Sequence, residues 1–181
     1  MADVGVRAAG PDDVPEIARI QVLTWTTAYR RFLPEAVLAG LTEDRAAGAW
    51  AAAVGAPPPY HVLVAYEQDW TVGFAAVGPS AEEDAGPGEG AIAVLLVEPR
   101  WGRRGHGSRL LAAAVDHLRA DGVTRLVTWV PDGDRASAAF YSSAGWEPDG
   151  TVRTLQTDLP DGGTVRELRW HVSVADPEVG A

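Results

Sequence analysis

Leu95-Leu96-Val97-Glu98-Pro99-Arg100-Trp101-Gly102-Arg103-Arg104-Gly105-His106-Gly107-Ser108-Arg109-Leu110-Leu111 is the stretch that decides the fold. An apolar strand ends at Val97, Pro99 closes it, and a glycine-rich turn feeds a helix. The N–H groups at the start of that helix have no helical partner and point outward. The helix dipole adds roughly half a positive charge there, and such a site favours phosphate. Glycines remove side chains that would block the approach. Residues 98–109 hold four Arg and one Glu, a local +3 in a chain of net charge −10. The segment reads as a pyrophosphate cradle. A dinucleotide fingerprint fails in detail: from Gly105 the third glycine of G-x-G-x-x-G is replaced by Leu110, and Arg125 and Leu126 stand where an acidic residue is expected. No G-K-[ST] exists, because the chain has no Lys.

Working outward, Leu110, Leu111, Ala114, Val115 and Leu118 form the inward stripe of the helix, with Arg109, Asp116 and Arg119 outside. Asp121-Gly122 stops it. Ala91–Val97 before it suits a central strand buried on both faces, and Leu126–Val130 after it is another strand. Strand, helix and strand over 91–130 predict a right-handed parallel crossover. Val4–Ala8 is an opening strand, and Gly10-Pro11-Asp12-Asp13 starts a helix running to about Tyr29. Pro34 opens a second helix to Leu41, and Thr42 caps a third to Val54. Tyr60–Glu67 and Thr71–Val77 read as a hairpin about Gln68-Asp69-Trp70. Ser80–Gly90 reads as a mobile acidic loop. Asp134–Ala144 is a short helix ended by Gly145. Thr151–Thr157 and Thr164–Val172 alternate as strands joined by Leu159-Pro160-Asp161-Gly162-Gly163. This order gives an α/β (α+β) fold: a mixed sheet with helices on both faces. One domain spans residues 1–172, and 173–181 form a flexible tail.

Composition excludes whole chemistries. With no Cys and no Lys among 181 residues, there is no thiol nucleophile, disulfide, zinc finger or Schiff base. With no Asn there is no N-glycosylation acceptor. The 31 Ala, 20 Gly, 13 Pro and 15 Arg are what a GC-rich genome writes. A net charge of −10 argues against nucleic-acid partners and anionic membranes. It suits a basic substrate or simple solubility. No apolar stretch approaches the ~18 residues of a membrane span, and the N-terminus lacks a signal peptide's pattern, so the cytoplasm is the expected location. The four His show no metal-ligand spacing, and no metal is expected.

Val97-Glu98-Pro99, the Gly105-His106-Gly107-Ser108 turn and the Leu-rich helix together resemble the acetyl-CoA-binding motif of the GNAT family of N-acetyltransferases. Asp134-Arg135-Ala136-Ser137-Ala138-Ala139-Phe140-Tyr141, closed by Gly145-Trp146, resembles that family's second motif, Asn-x-x-Ala-x-x-Phe-Tyr. Trp25-Thr26-Thr27-Ala28-Tyr29-Arg30 is similar to a pattern of many small bacterial members. The resemblance covers residues 4–172. It implies a mixed, mostly antiparallel sheet of about seven strands and direct acetyl transfer from acetyl-CoA to a primary amine of a small molecule or peptide. Departures are Gly102 for the usual Gln or Arg, Leu96 for Tyr, Asp134 for Asn, and Ala91 where a strand Glu often serves as base.

By this resemblance Leu95, Leu96 and Val97 bind pantetheine through their backbone. A bulge splays their strand from Leu126–Val130, and a free N–H of Leu96 or Val97 polarises the thioester. Arg103, Arg104, Gly105, His106, Gly107 and Ser108 hold the pyrophosphate, His106 through its backbone, with Asp134 and Ser137 also on the cofactor side. Tyr141 protonates the departing thiolate. The base is Glu89, Glu98 or a water chain, with Glu98 more readily solvated or paired with Arg100. Trp25, Tyr29, Phe32 and Trp50 either wall the acceptor pocket or belong to the core. His61 reads as a strand residue and His117 as a solvated helix residue. A homodimer is the family's habit, and the exposed C-terminal strands offer edges that could pair. The rival is a non-catalytic acyl-CoA-binding module of the same fold. Nucleotide binding through the turn is a third reading, which predicts stabilisation by NAD or ATP but not CoA.

Overall fold

Among the described residues, seven strands form one sheet in the order β1-β2-β3-β4-β5-β7-β6. A computed structural model describes residues 3–156 and 163–175. The strands are β1 (Val4–Ala8), β2 (His61–Glu67), β3 (Trp70–Pro79), β4 (Glu89–Val97), β5 (Arg125–Pro131), β6 (Glu147–Gln156) and β7 (Thr164–Ser173). The helices are α1 (Val14–Thr27), α2 (Glu35–Gly40), α3 (Glu43–Val54), α4 (His106–Ala120) and α5 (Arg135–Ser143). Every strand pair is antiparallel except β4–β5, the predicted crossover through α4.

The helices cover both faces. Leu110, Leu111, Ala114 and Leu118 of α4 pack with Leu63, Ile92, Leu126 and Tyr141 on one face. Ile17 and Ile20 of α1 and Trp50 of α3 pack with Val64, Phe74 and Leu96 on the other. Each fully buried large apolar side chain stabilises the fold by about 1.5–3 kcal/mol. These two cores hold β4 as the middle strand.

Several boundaries move for local reasons. The first helix ends at Thr27 rather than Tyr29, and Pro11–Asp13 forms a separate 3₁₀ turn before it. Asp13 does not cap through its side chain; its carboxylate binds Arg7 at 2.7 and 2.8 Å and the Gly10 N–H. Thr42 caps α3 by accepting from the Arg45 N–H, as the sequence predicts. The β2–β3 hairpin turns on Gln68-Asp69, with Gln68 at φ 54°. β6 starts at Glu147, four residues before the expected Thr151. A register shift between Pro148 and Val152 takes up Asp149, Gly150 and Thr151 within the strand. β7 runs to Ser173, so the expected tail begins inside a strand. Residues 176–181, and the connector before Gly163, lie outside the described residues.

The acidic loop differs most from expectation. Glu89 belongs to β4, and the loop before it is pinned to the sheet. Asp84 receives two hydrogen bonds from Arg169, at 2.8 and 2.9 Å. Glu82 accepts from the Trp129 indole at 2.8 Å. Arg169 is buried and also binds Asp149 at 2.7 Å. Burial pushes the Asp149 carboxyl up, but the Thr151 N–H and hydroxyl and Arg169 outweigh it and hold it at about 2.

Candidate active site

β4 and β5 pair only from Glu89↔Arg125 to Ile92↔Thr128. Beyond that they part, and Ala93–Val97 and Trp129–Pro131 line opposite walls of a cavity of about 600 Å³. Ala93 opens the slot. On the other side of β4, Ala76 pairs with Val94 but Val77 pairs with Ile92, leaving Ala93 as the extra residue of a bulge. The expected splayed strands are therefore present.

Alternation along β4 decides which amides face the slot. The Glu98 N–H donates to Val72 O, which fixes the hydrogen-bonded phase with β3. In that phase the Leu96 N–H is directed to Phe74, its register partner, while the N–H groups of Leu95 and Val97 face the slot. Of the two amides expected to polarise a carbonyl, only Val97 points the right way. Leu96 lines the cavity, but its side chain packs in the core under α1 and α3.

At the slot's mouth, Gly105 adopts φ 82°, a left-handed conformation costly for other residues. The first bond of α4 runs from the Arg109 N–H to Gly105 O. The N–H groups of His106, Gly107 and Ser108 are thus left without helical acceptors. A Cβ on Gly107 would lie 3.3 Å from Phe140 and 3.8 Å from Val97, so glycine lets α4 meet α5 and β4 closely. The His106 ring is 2% exposed and turned inward, with Nε2 2.9 Å from Glu67. That leaves the backbone of His106 for any ligand. Arg103 lines the cavity at φ 61°. Arg104 does not line it: its guanidinium is 3.2 Å from Glu67 and lies over the Trp101 ring.

α5 supplies the far wall. Asp134 is buried, caps the helix by accepting from the Ser137 N–H, and takes the Ser137 hydroxyl at 2.6 Å. Ser137 lines the cavity and lies 3.3 Å from the Tyr29 hydroxyl. Tyr141 is 6% exposed and lines the slot. Burial raises its pKa well above the usual tyrosine range, partly offset by the neighbouring Thr128 side chain. The Thr128 hydroxyl donates to Ile92 O at 2.9 Å.

A family model described as the acetyltransferase (GNAT) family matches residues 19–146. The chain belongs to the GNAT acetyltransferase family. An uncharacterized N-acetyltransferase of Bacillus subtilis (strain 168), YuaI, is 30% identical over 141 residues, 77% of this chain and 78% of that protein. Among solved structures, the fold resembles the PaiA N-acetyltransferase of Thermoplasma acidophilum in complex with coenzyme A. The TM-score is 0.72 at 14% identity, covering 91% of this chain and 98% of that one. It also resembles yncA, a putative acetyltransferase of Salmonella typhimurium with acetyl-CoA. There the TM-score is 0.69 at 19% identity, covering 97% of this chain and 96% of that one. The enzyme class is acyltransferase.

Two carboxylates read as bases from the sequence lie outside this GNAT slot. Glu89 is buried in an ion pair with Arg125. Glu98 is not solvated: it is 3% exposed, held by Arg19 at 2.8 Å and by the expected Arg100 at 2.6 Å. Neither lines the cavity. The aromatic group divides. Trp25 and Tyr29 line the slot, whereas Trp50 packs edge-on against Phe74 and donates to Gln21. Phe32 contacts Tyr29 at 6.1 Å between ring centres. The His61 and His117 rings lie 4.9 Å apart, tilted by 41°, and His61 binds Asp121. Thr128, Glu67 and Glu167 are the polar residues of the site that the sequence reading missed. Thr128 sits in an apolar strand, and Glu67 and Glu167 occupy positions that read as solvent-facing. Among the described residues no helix is long and apolar enough to cross a membrane.

Proposed function

We propose that this protein transfers an acetyl group from acetyl-CoA directly to a primary amine of a small molecule or peptide. One observation carries the reading: the slot between β4 and β5 has a helix N-terminus at its mouth, free strand amides on one wall and a protonated tyrosine on the other. A phosphate-bearing thioester fits this set. The His106, Gly107 and Ser108 N–H groups receive pyrophosphate, with Arg103 beside them. Leu95 and Val97 bind the pantetheine arm, and the Val97 N–H stabilises charge on the thioester oxygen. Asp134 already accepts two hydrogen bonds within α5, so its role is to hold Ser137 and the helix.

Holding amine and thioester together supplies much of the rate. Tyr141 keeps its proton at neutral pH and gives it to the departing sulfur. The test is thiol release from acetyl-CoA across a panel of primary amines, with thermal stabilisation by CoA measured in parallel. Stabilisation by CoA with no release on any amine would return the protein to a binding module.

A further inference from the structure

A second cavity, of about 420 Å³, opens on the α1/α3 face between the end of α3, β3 and the pinned loop. It shares Ala93, Thr128, Trp129 and Glu167 with the slot. The two cavities therefore adjoin at the bulge. Glu167 is the one carboxylate that lines both among the described residues. It stands on β7 opposite Pro131 and is paired across the sheet with Arg153 of β6. The Arg153 Nε donates to its Oε2 at 2.7 Å. That guanidinium lies 4.1 Å over the Trp129 ring and also reaches Glu82 of the loop at 3.4 Å. The remaining lining is largely apolar, including Val62, Val77, Ala91 and Ile92.

We propose that Glu167 is the catalytic base: it receives the acceptor's ammonium where the two cavities join and takes its proton. This rests on the amine-acetylation reading above. The acceptor's body enters through the second cavity, whose walls suit an amine on an apolar or aromatic group. Glu167 takes one proton from the ammonium. The freed nitrogen lone pair forms the C–N bond as the carbonyl π pair moves to oxygen, beside the Val97 N–H. The carbonyl re-forms and the C–S bond breaks, its electron pair going to sulfur, which takes the Tyr141 proton. The second nitrogen proton returns to Tyr141 through water, and Glu167 releases its own to solvent. The products are an amide, a free thiol and one proton.

The test measures thiol release from acetyl-CoA with phenethylamine, tyramine, tryptamine, spermidine and an alanine-initiated peptide. Wild type turns over at least one. On it, Glu167→Gln lowers kcat by about 100-fold and leaves CoA affinity within about threefold, and its deficit in kcat/KM narrows as pH rises toward the amine's own pKa of about 10, where the free amine needs no base. The charged groups facing Glu167 are Arg153 from β6 and, through it, Glu82 from the loop. Arg153→Met breaks the same ion pair but keeps the carboxylate, and it loses less than tenfold. A fall of under tenfold in Glu167→Gln overturns the proposal, as does an equal fall in Arg153→Met, which would mark the pair as structural. If wild type turns over no amine, the acetylation reading fails and this proposal falls with it.

Discussion

Replacing Tyr141 by Phe separates chemistry from architecture, because the hydroxyl is the only group removed. In the resting protein that hydroxyl lies beside Thr128, whose own proton is committed to Ile92 O. Thr128 keeps that bond when the tyrosine hydroxyl is lost, so the stability cost is about 1 kcal/mol or less. The catalytic cost is larger. Losing a general acid slows the step by about 10²–10⁴, or roughly 3–5 kcal/mol on the barrier. The raised pKa does not disqualify the acid. The burial that raises the tyrosine also raises a thiol leaving into the same apolar slot, so the two stay matched. A raised tyrosine pKa keeps the protonated form to higher pH, so Tyr141 contributes no descending limb to kcat below about pH 10. The assay is steady-state thiol release from pH 6 to 10, with CoA affinity by calorimetry and stability by urea unfolding. Turnover within about threefold of wild type, at unchanged CoA affinity, would refute the role.

Thr128→Val keeps the shape but leaves Ile92 O without this partner; urea unfolding should show a loss of about 1–3 kcal/mol. Gly105→Ala forces a Cβ into a φ of 82°, and that Cβ would lie 3.2 Å from the Arg109 guanidinium. It should cost about 1–2 kcal/mol in unfolding experiments and weaken CoA binding by calorimetry. The Asp149 carboxyl is held at about 2 against an ordinary 3.8. A depressed carboxyl adds stability above its unfolded pKa and loses it as pH falls, here between about pH 4 and 2. Discounted for screening, that is about 1–2 kcal/mol. Urea midpoints across that range should fall more steeply for wild type than for Asp149→Asn.

The glycine-rich turn was legible because its chemistry is local. A strand, a proline stop, a left-handed glycine and an amphipathic helix follow one another within twenty residues. The second motif was legible for the same reason: Asp134 caps the helix that carries Tyr141 about two turns later. What stayed hidden depends on partners far along the chain. The acidic loop looked mobile because nothing nearby could hold it, yet Asp84 is anchored by Arg169, 85 residues away. Glu98 looked solvated because Arg19, 79 residues earlier, is invisible to local reading. Glu167 sits between Arg166 and Leu168 with nothing local to single it out; only the tertiary fold turns it into a cavity.

The bulge at Ala93 left no mark in the sequence, since Ala91–Val97 is apolar throughout. Side-chain parity reveals it. Ile92 and Leu96, four residues apart, would face the same side of a regular strand. Ile92 instead packs under α4, and Leu96 packs under α1 and α3. One added residue has reversed the strand's faces between them. The same residue parts β4 from β5, so the amides of Leu95 and Val97 lose a neighbouring strand and face a slot instead. It also places a small side chain, Ala93, on the wall shared by the two cavities. Opening and amide alignment thus follow from a single irregularity, which is why no linear motif needs to record them separately.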